Sequence, residues 1–176
     1  MKRRVGFLTR REYDGLKNVH RFILSWIICK LQGSLVHTYV TFCKDGVECV
    51  REMERYGTVI VPYSEYKEKY KDRIFDEIIL PVNEYMYLYD FKCSTEKCLY
   101  DWFALFVGFL LFFLFNIKLN YTTRKRRSCA EDSMIMANYI LNEKDIDYEY
   151  MYPLKLYHTL VQIINNKYKQ NDISTQ

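Results

Sequence analysis

Two β-prone runs, VHTYVTFC and VECVREM, flank Lys44-Asp45-Gly46. Asp-Gly between such runs is the chemistry of a tight hairpin turn, which needs positive φ at both central residues. The hairpin constrains the rest of the chain more than any other feature. Side chains alternate along a strand, so Val36, Thr38, Val40 and Phe42 share one face, and His37, Tyr39, Thr41 and Cys43 the other. If Asp45-Gly46 forms a two-residue turn, Lys44 faces Val47, Cys43 faces Glu48, Tyr39 faces Glu52 and His37 faces Glu54. A three-residue turn would shift every pair by one.

Other elements gather around this hairpin. Residues 3–9 read as a strand, TVIVP (58–62) as another closed by Pro62, and IFDEIILPV (74–82) and YMYLYDF (85–91) as one or two more. Leu16, Val19, Ile23, Ile27 and Leu31 recur at helical spacing before Gly33, so 16–32 is expected to be a helix. SEYKEKYK opens a short polar helix at Ser64. Ser94 or Thr95 is expected to start the helix that carries the charge-free run Trp102–Phe115. That run of fourteen residues falls short of the about 20 that span a bilayer, which favours a core helix over a membrane insertion. Helices at 129–142 and 153–168 follow. The last packs Leu156, Leu160 and Ile163 or Ile164, and a loose tail runs from Lys169. These elements make an α+β domain over 1–176, with an antiparallel sheet of four to six strands packed with helices.

The net charge of +4 is spread along the chain, and RKRR (124–127) is its one dense basic run. An isolated run of this kind reads as a solvated loop, and no nucleic-acid-binding motif accompanies it. No nucleic acid is therefore expected as a partner. Met-Lys-Arg-Arg runs straight into VGFLT, which reads as a strand rather than a secretory leader. The six cysteines are then expected to be free thiols in a reducing, cytoplasmic setting. Cys43/Cys49 and Cys93/Cys98 lack the two-residue spacing of a zinc knuckle, so neither a metal nor another cofactor is expected.

Cys129 differs from the other cysteines in its local setting. Ser128 and Glu131 form the Ser-x-x-Glu pattern of a capping box, which makes Cys129 the first residue of a helix. There the sulfur lies beside unpaired N–H groups and the positive end of the helix dipole, with Arg124, Lys125, Arg126 and Arg127 just ahead. Each effect favours the thiolate, the reactive form. The bland reading is a small buried hydrophobe, and only a base nearby sets the two readings apart.

Of the three histidines, His20 reads as a surface residue of the first helix and His158 sits in the last one. His37 begins a strand, a rigid perch for an imidazole that must meet a helix N-terminus. A base of this kind works best when its second nitrogen is held by an acceptor. Glu48, Glu52 and Glu54 all share its face. Glu48 sits near the turn, about 20 Å away at strand rise. Glu54 lies where the strand runs out toward Tyr56-Gly57. Glu52 is the choice, giving the candidate catalytic set Cys129, His37 and Glu52.

The succession GSLVHTYVTFCKDG, TVIVP, YDWFALFVGFLL and RRSCAEDSMIMANYIL resembles the circularly permuted papain-fold hydrolases, a branch of the NlpC-type cysteine peptidase superfamily found in bacteria, phages and poxviruses. The likeness spans roughly residues 3 to 142. In that group the histidine comes first, at a strand start, and the cysteine later, at a helix start. The resemblance implies His37 as base, Cys129 as nucleophile and Glu52 or a neighbouring glutamate as third residue, with Tyr100-Asp101-Trp102 matching a Tyr-Asp-Trp segment. It implies a thiol hydrolase, a peptidase, amidase or acyltransferase. The substrate would be a peptide, a peptidoglycan-type stem or a lipid acyl group. The alternative is a membrane-associated or partner-binding protein on a degenerate fold of this kind, without catalysis, touching a bilayer through Trp102–Phe115; the setting is expected to be cytoplasmic, virion-associated or membrane-peripheral. The chain departs from the pattern at Ser128, where an aromatic is common, and at Glu131-Asp132, where small or apolar residues are usual.

Overall fold

A computed structural model of the chain describes residues 1–9, 34–54, 56–101, 115, 126–144, 146, 148 and 151–173, with side chains as far as 166. The helix expected over 16–32, His20, Cys29, the stretch 102–114, and Arg124 and Lys125 lie outside these residues. Eleven elements follow in order: β1 (Arg4–Thr9), β2 (Leu35–Lys44), β3 (Val47–Glu54), β4 (Gly57–Pro62), α1 (Tyr63–Tyr70), β5 (Ile74–Ile79), α2 (Met86–Thr95), β6 (Leu99–Tyr100), β7 (Arg126–Arg127), α3 (Cys129–Leu141) and α4 (Pro153–Ile173).

The main sheet has five antiparallel strands in the order β4-β3-β2-β1-β5, which makes the described architecture α+β. Its centre is the hairpin the sequence predicts. Asp45 and Gly46 take φ of 51° and 80°, as a two-residue turn of this hand requires. Lys44 pairs with Val47, Cys43 with Glu48 and Tyr39 with Glu52. The ladder stops there, one residue short of Thr38. Beyond it β3 continues to Glu54 against β4 alone, so β2 and β3 part into a fork.

The two faces of the sheet are covered differently. Val5, Phe7, Val40 and Phe42 meet Met134, Ala137 and Ile140 of α3, Tyr89 and Cys93 of α2, and Leu156 and Leu160 of α4 in the main core. Full burial of each larger apolar side chain here contributes about 1.5–3 kcal/mol. On the other face Leu8, Tyr39 and Val50 lie under Tyr66 of α1. The expected positions on the last helix hold, with Leu156 and Leu160 fully buried. The helix itself runs on to Ile173, through most of the stretch expected to be a loose tail.

Residues 85–91 overturn an expectation. Residues 86–91 are helical rather than extended, as part of α2, and Tyr85 caps its start. Asn83 sets the turn: its side-chain oxygen accepts from Tyr85 N–H and its amide donates to Ile140 O. Tyr89 and Cys93, one helical turn apart, then face the core, and Tyr89 donates its hydroxyl to Thr41 O at 2.7 Å. Tertiary burial of that pair outweighs the β-preference of the tyrosines. Ser94 and Thr95, expected to open a helix, close this one by donating back to Phe91 O.

RKRR is corrected as well. Arg126 and Arg127 pair in parallel with Leu99 and Tyr100, and Arg127 is buried rather than solvated. This short pairing leads the chain into α3. Across from it, Gly57 has φ of 118°, and a Cβ there would lie 2.4 Å from Cys98 O. Glycine thus lets the segment before β6 lie close on β4, where Thr58 N–H donates to Cys98 O at 3.0 Å.

Candidate active site

The start of α3 is built as its sequence dictates. Ser128 Oγ accepts from Glu131 N–H, and Glu131 Oε2 accepts from Ser128 N–H at 2.7 Å, a complete capping box. Asp132 N–H returns to Ser128 O. The N–H groups of Cys129 and Ala130 are left with no acceptor within the helix. Glu131 and Asp132, the departures from the resembled pattern, both have structural roles. Glu131 completes the cap. Asp132 binds Arg51 of β3 in a two-pronged pair, at 2.8 Å and 2.9 Å, and also accepts from Arg127 at 3.2 Å. Arg51 further donates to the carbonyls of Cys93 and Glu96. This buried network clamps the first turn of α3 onto β3.

Alternation along β3 turns the next side chain to the opposite face. Glu52 reaches His37, with Oε2 2.9 Å from Nε2. The two are diagonal neighbours rather than opposite, since Glu52 lies across from Tyr39. Glu48 instead pairs with Arg4 at 2.6 Å, and Glu54 is exposed at the strand end. Tyr66 of α1 donates a second hydrogen bond to the same Glu52 oxygen at 2.9 Å. Burial pushes the Glu52 carboxyl up, but His37 and Tyr66 outweigh it and hold it below its ordinary range. It is therefore an anion, 4% exposed.

The His37 imidazole also interacts with the sulfur of Cys129. Burial pulls the imidazole down. The Cys129 charge, its hydrogen bond and Glu52 more than reverse this and lift His37 to about 10. For Cys129 burial works upward, and the His37 charge, its hydrogen bond and two donations from Thr38 bring the thiol below its ordinary value. Both shifts favour the thiolate and imidazolium forms of the pair. From sequence RKRR is expected to add to the helix dipole here, but Arg127 is paired with Asp132 and with Glu96 at 3.3 Å, and the charge that lowers the thiol most is that of His37.

Cys129 of α3, His37 of β2 and Glu52 of β3 thus come together, the imidazole bonded to Glu52 at 2.9 Å and interacting with the sulfur. No family model, curated protein or solved structure matches the chain. The site's meaning is carried by its geometry.

Three further residues shape the site without having been singled out for it by sequence. Tyr66 donates to Glu52, Tyr100 of β6 packs against Cys129, and Thr38 helps draw its thiol down. Only Tyr100 left a signal, in the Tyr-Asp-Trp likeness. Cys129 is 5% exposed and packs with Met53, Cys98 and Tyr100. The five described cysteines are all free thiols. Among the described residues no three His, Cys, Asp or Glu side chains cluster as metal ligands. Also among them, no helix is long and apolar enough to cross a membrane. The run Trp102–Phe115 lies outside the described residues except for Phe115.

Proposed function

We propose that the chain is a thiol hydrolase that cleaves an amide or ester bond through Cys129, His37 and Glu52. The observation that carries the proposal is the 2.9 Å bond from His37 to the buried Glu52 carboxylate, with Cys129 at the start of α3 acting on the same imidazole. The Cys129 thiolate attacks the carbonyl carbon, and the oxygen gathers negative charge. The N–H groups of Cys129 and Ala130 are placed to donate to it. His37 then gives its proton to the departing amine or alcohol, leaving a thioester on Cys129. The neutral imidazole takes a proton from water, hydroxide adds to the thioester, and collapse releases the acid and restores the ion pair. Glu52 keeps the ring oriented and stabilises its charged form throughout.

Base before nucleophile, with the base on a strand and the nucleophile opening a helix, is the order of the permuted papain-fold hydrolases that the sequence resembles. That likeness supports a peptide, peptidoglycan-type or lipid acyl substrate.

Iodoacetamide at pH 7, followed by peptide mapping, tests the reading. Cys43 is the most exposed of the described thiols, and Cys129 is almost covered. Faster alkylation of Cys129 than of Cys43, slowed at least about tenfold in His37→Ala, is the expected result. Labelling ordered by exposure alone, and unchanged in His37→Ala, would exclude the thiolate and the hydrolase with it.

A further inference from the structure

The Cys129 sulfur is nearly shut off from water, and an anion so placed needs donors from the protein. The fork between β2 and β3 supplies them. The ladder ends at Tyr39 and Glu52, so Thr38 has no partner residue on β3. Thr38 lies against α3 through Ser133, one helical turn from Cys129, and its N–H and hydroxyl instead draw the Cys129 thiol down. Behind it, Thr38 Oγ1 lies 3.0 Å from Ser133 Oγ. Both hydroxyls are buried, at 0% and 3% exposure. Once the Thr38 proton is committed to sulfur, Ser133 is the donor of that second bond. Ser133 stands four residues after Cys129, on the same face of α3. One helix turn therefore carries both the sulfur and the outer end of the chain of hydroxyls that reaches back to it.

We propose that Thr38, backed by Ser133, is a positioning residue that holds the Cys129 sulfur as an anion in the mouth of the strand fork. The proposal deepens the thiol hydrolase reading and rests on it. A chain of donors in one direction, Ser133 to Thr38 to sulfur, strengthens each bond along it. It also aims the sulfur, because the strand N–H is rigid and the hydroxyl is pinned from behind. His37 lies on the other side of the same strand residue boundary. Strand alternation therefore places base and donor on opposite flanks of one nucleophile.

The test is the pH dependence of Cys129 alkylation by iodoacetamide in the full chain, with thermal melting to confirm folding. Thr38→Val keeps shape and N–H but removes the hydroxyl. It is expected to raise the midpoint of the profile by about one pH unit, or about tenfold less thiolate at neutral pH. Thr38→Ser is expected to restore the wild-type midpoint. Ser133→Ala, which leaves Thr38 packing intact, is expected to raise it by about half as much. A hydroxyl pair that merely joined helix to sheet would lower the melting temperature and leave the midpoint alone. An unmoved midpoint in both Thr38→Val and Ser133→Ala, against a depressed wild-type value, overturns the proposal and spares the hydrolase. A wild-type midpoint at the ordinary thiol value overturns both.

Discussion

Replacing Arg51 by methionine removes a guanidinium that is 0% exposed and joins β3 to the first turn of α3. Asp132 loses both bonds of the pair and keeps Arg127 at 3.2 Å as its counter-ion. It stays buried at 2% exposure. Removing one partner of a buried pair costs about 3–5 kcal/mol. The carbonyls of Cys93 and Glu96 lose a donor as well, at about 1 kcal/mol each. The total, about 5–7 kcal/mol before relaxation, reaches the lower end of the stability of whole domains. Asp132→Leu leaves the opposite charge stranded and should cost a similar amount. In the double variant neither charge remains, so its loss should fall short of the sum of the two single losses by at least about 2 kcal/mol. Urea unfolding followed by circular dichroism measures all three. Arg51→Lys is an internal control, since an ammonium keeps the charge and loses the two-pronged geometry. Single losses below about 1 kcal/mol, or losses that add within about 0.5 kcal/mol, would refute the claim that this pair clamps the helix that Cys129 opens.

Three shorter predictions follow from the same geometry. Burial, with Asp101 adding to it, lifts the Glu131 carboxyl from 4.5 to about 7 against the opposing hydrogen bonds from Ser128. The folded chain then holds this proton where the unfolded chain has lost it, so stability falls as pH rises from 4.5 to about 7, by about 3 kcal/mol in all. Glu131→Gln keeps an acceptor for Ser128 N–H and should flatten that fall in unfolding curves taken at pH 5 and pH 8. Tyr66→Phe removes one of two donors to Glu52 Oε2. It should lower kcat severalfold with KM little changed and cost about 1 kcal/mol of stability; a change in KM alone would argue against an orienting role. Gly57→Ala strains a backbone at φ 118° and drives a methyl into Cys98 O. A loss of about 2–4 kcal/mol is expected, and alkylation of Cys129 should change with it because β6 carries Tyr100 to the sulfur.

What could be read in advance follows from which residues obey local rules. Asp45-Gly46 has one comfortable conformation, and it set the register that puts Glu52 across from Tyr39. Ser128 and Glu131 form their capping box within one helical turn, so the helix start at Cys129 was legible too. The line from Cys129 to His37 to Glu52 then needed only alternation and a helix start. Residues 85–91 were misread because Tyr, Met and Leu carry no helical signature until Asn83 turns the chain and Tyr89 is buried. The Arg51–Asp132 pair was invisible because its partners are far apart in the chain and each reads locally as a surface charge. The same holds for the fork: pairing rules extend a ladder to the end of both strands, whereas this one ends at Tyr39 and Glu52.

Consecutive residues of β3 divide the work of the site between stability and chemistry. Arg51 points to the α3 face and anchors the helix that bears the sulfur, and Glu52 points to the α1 face and orients the imidazole. A shift of one residue in the register between β2 and β3 would exchange these faces, placing a carboxylate beside Asp132 and a guanidinium beside His37. Both contacts would turn repulsive at once. The turn that sets the register is therefore coupled to the site even though it lies at the far end of the hairpin. Lengthening it by one residue between Asp45 and Gly46 should abolish both the clamp and the relay. The readouts are a large loss of stability and Cys129 alkylation that no longer depends on His37. Retention of both after such an insertion would mean that the strands find their pairing without the turn.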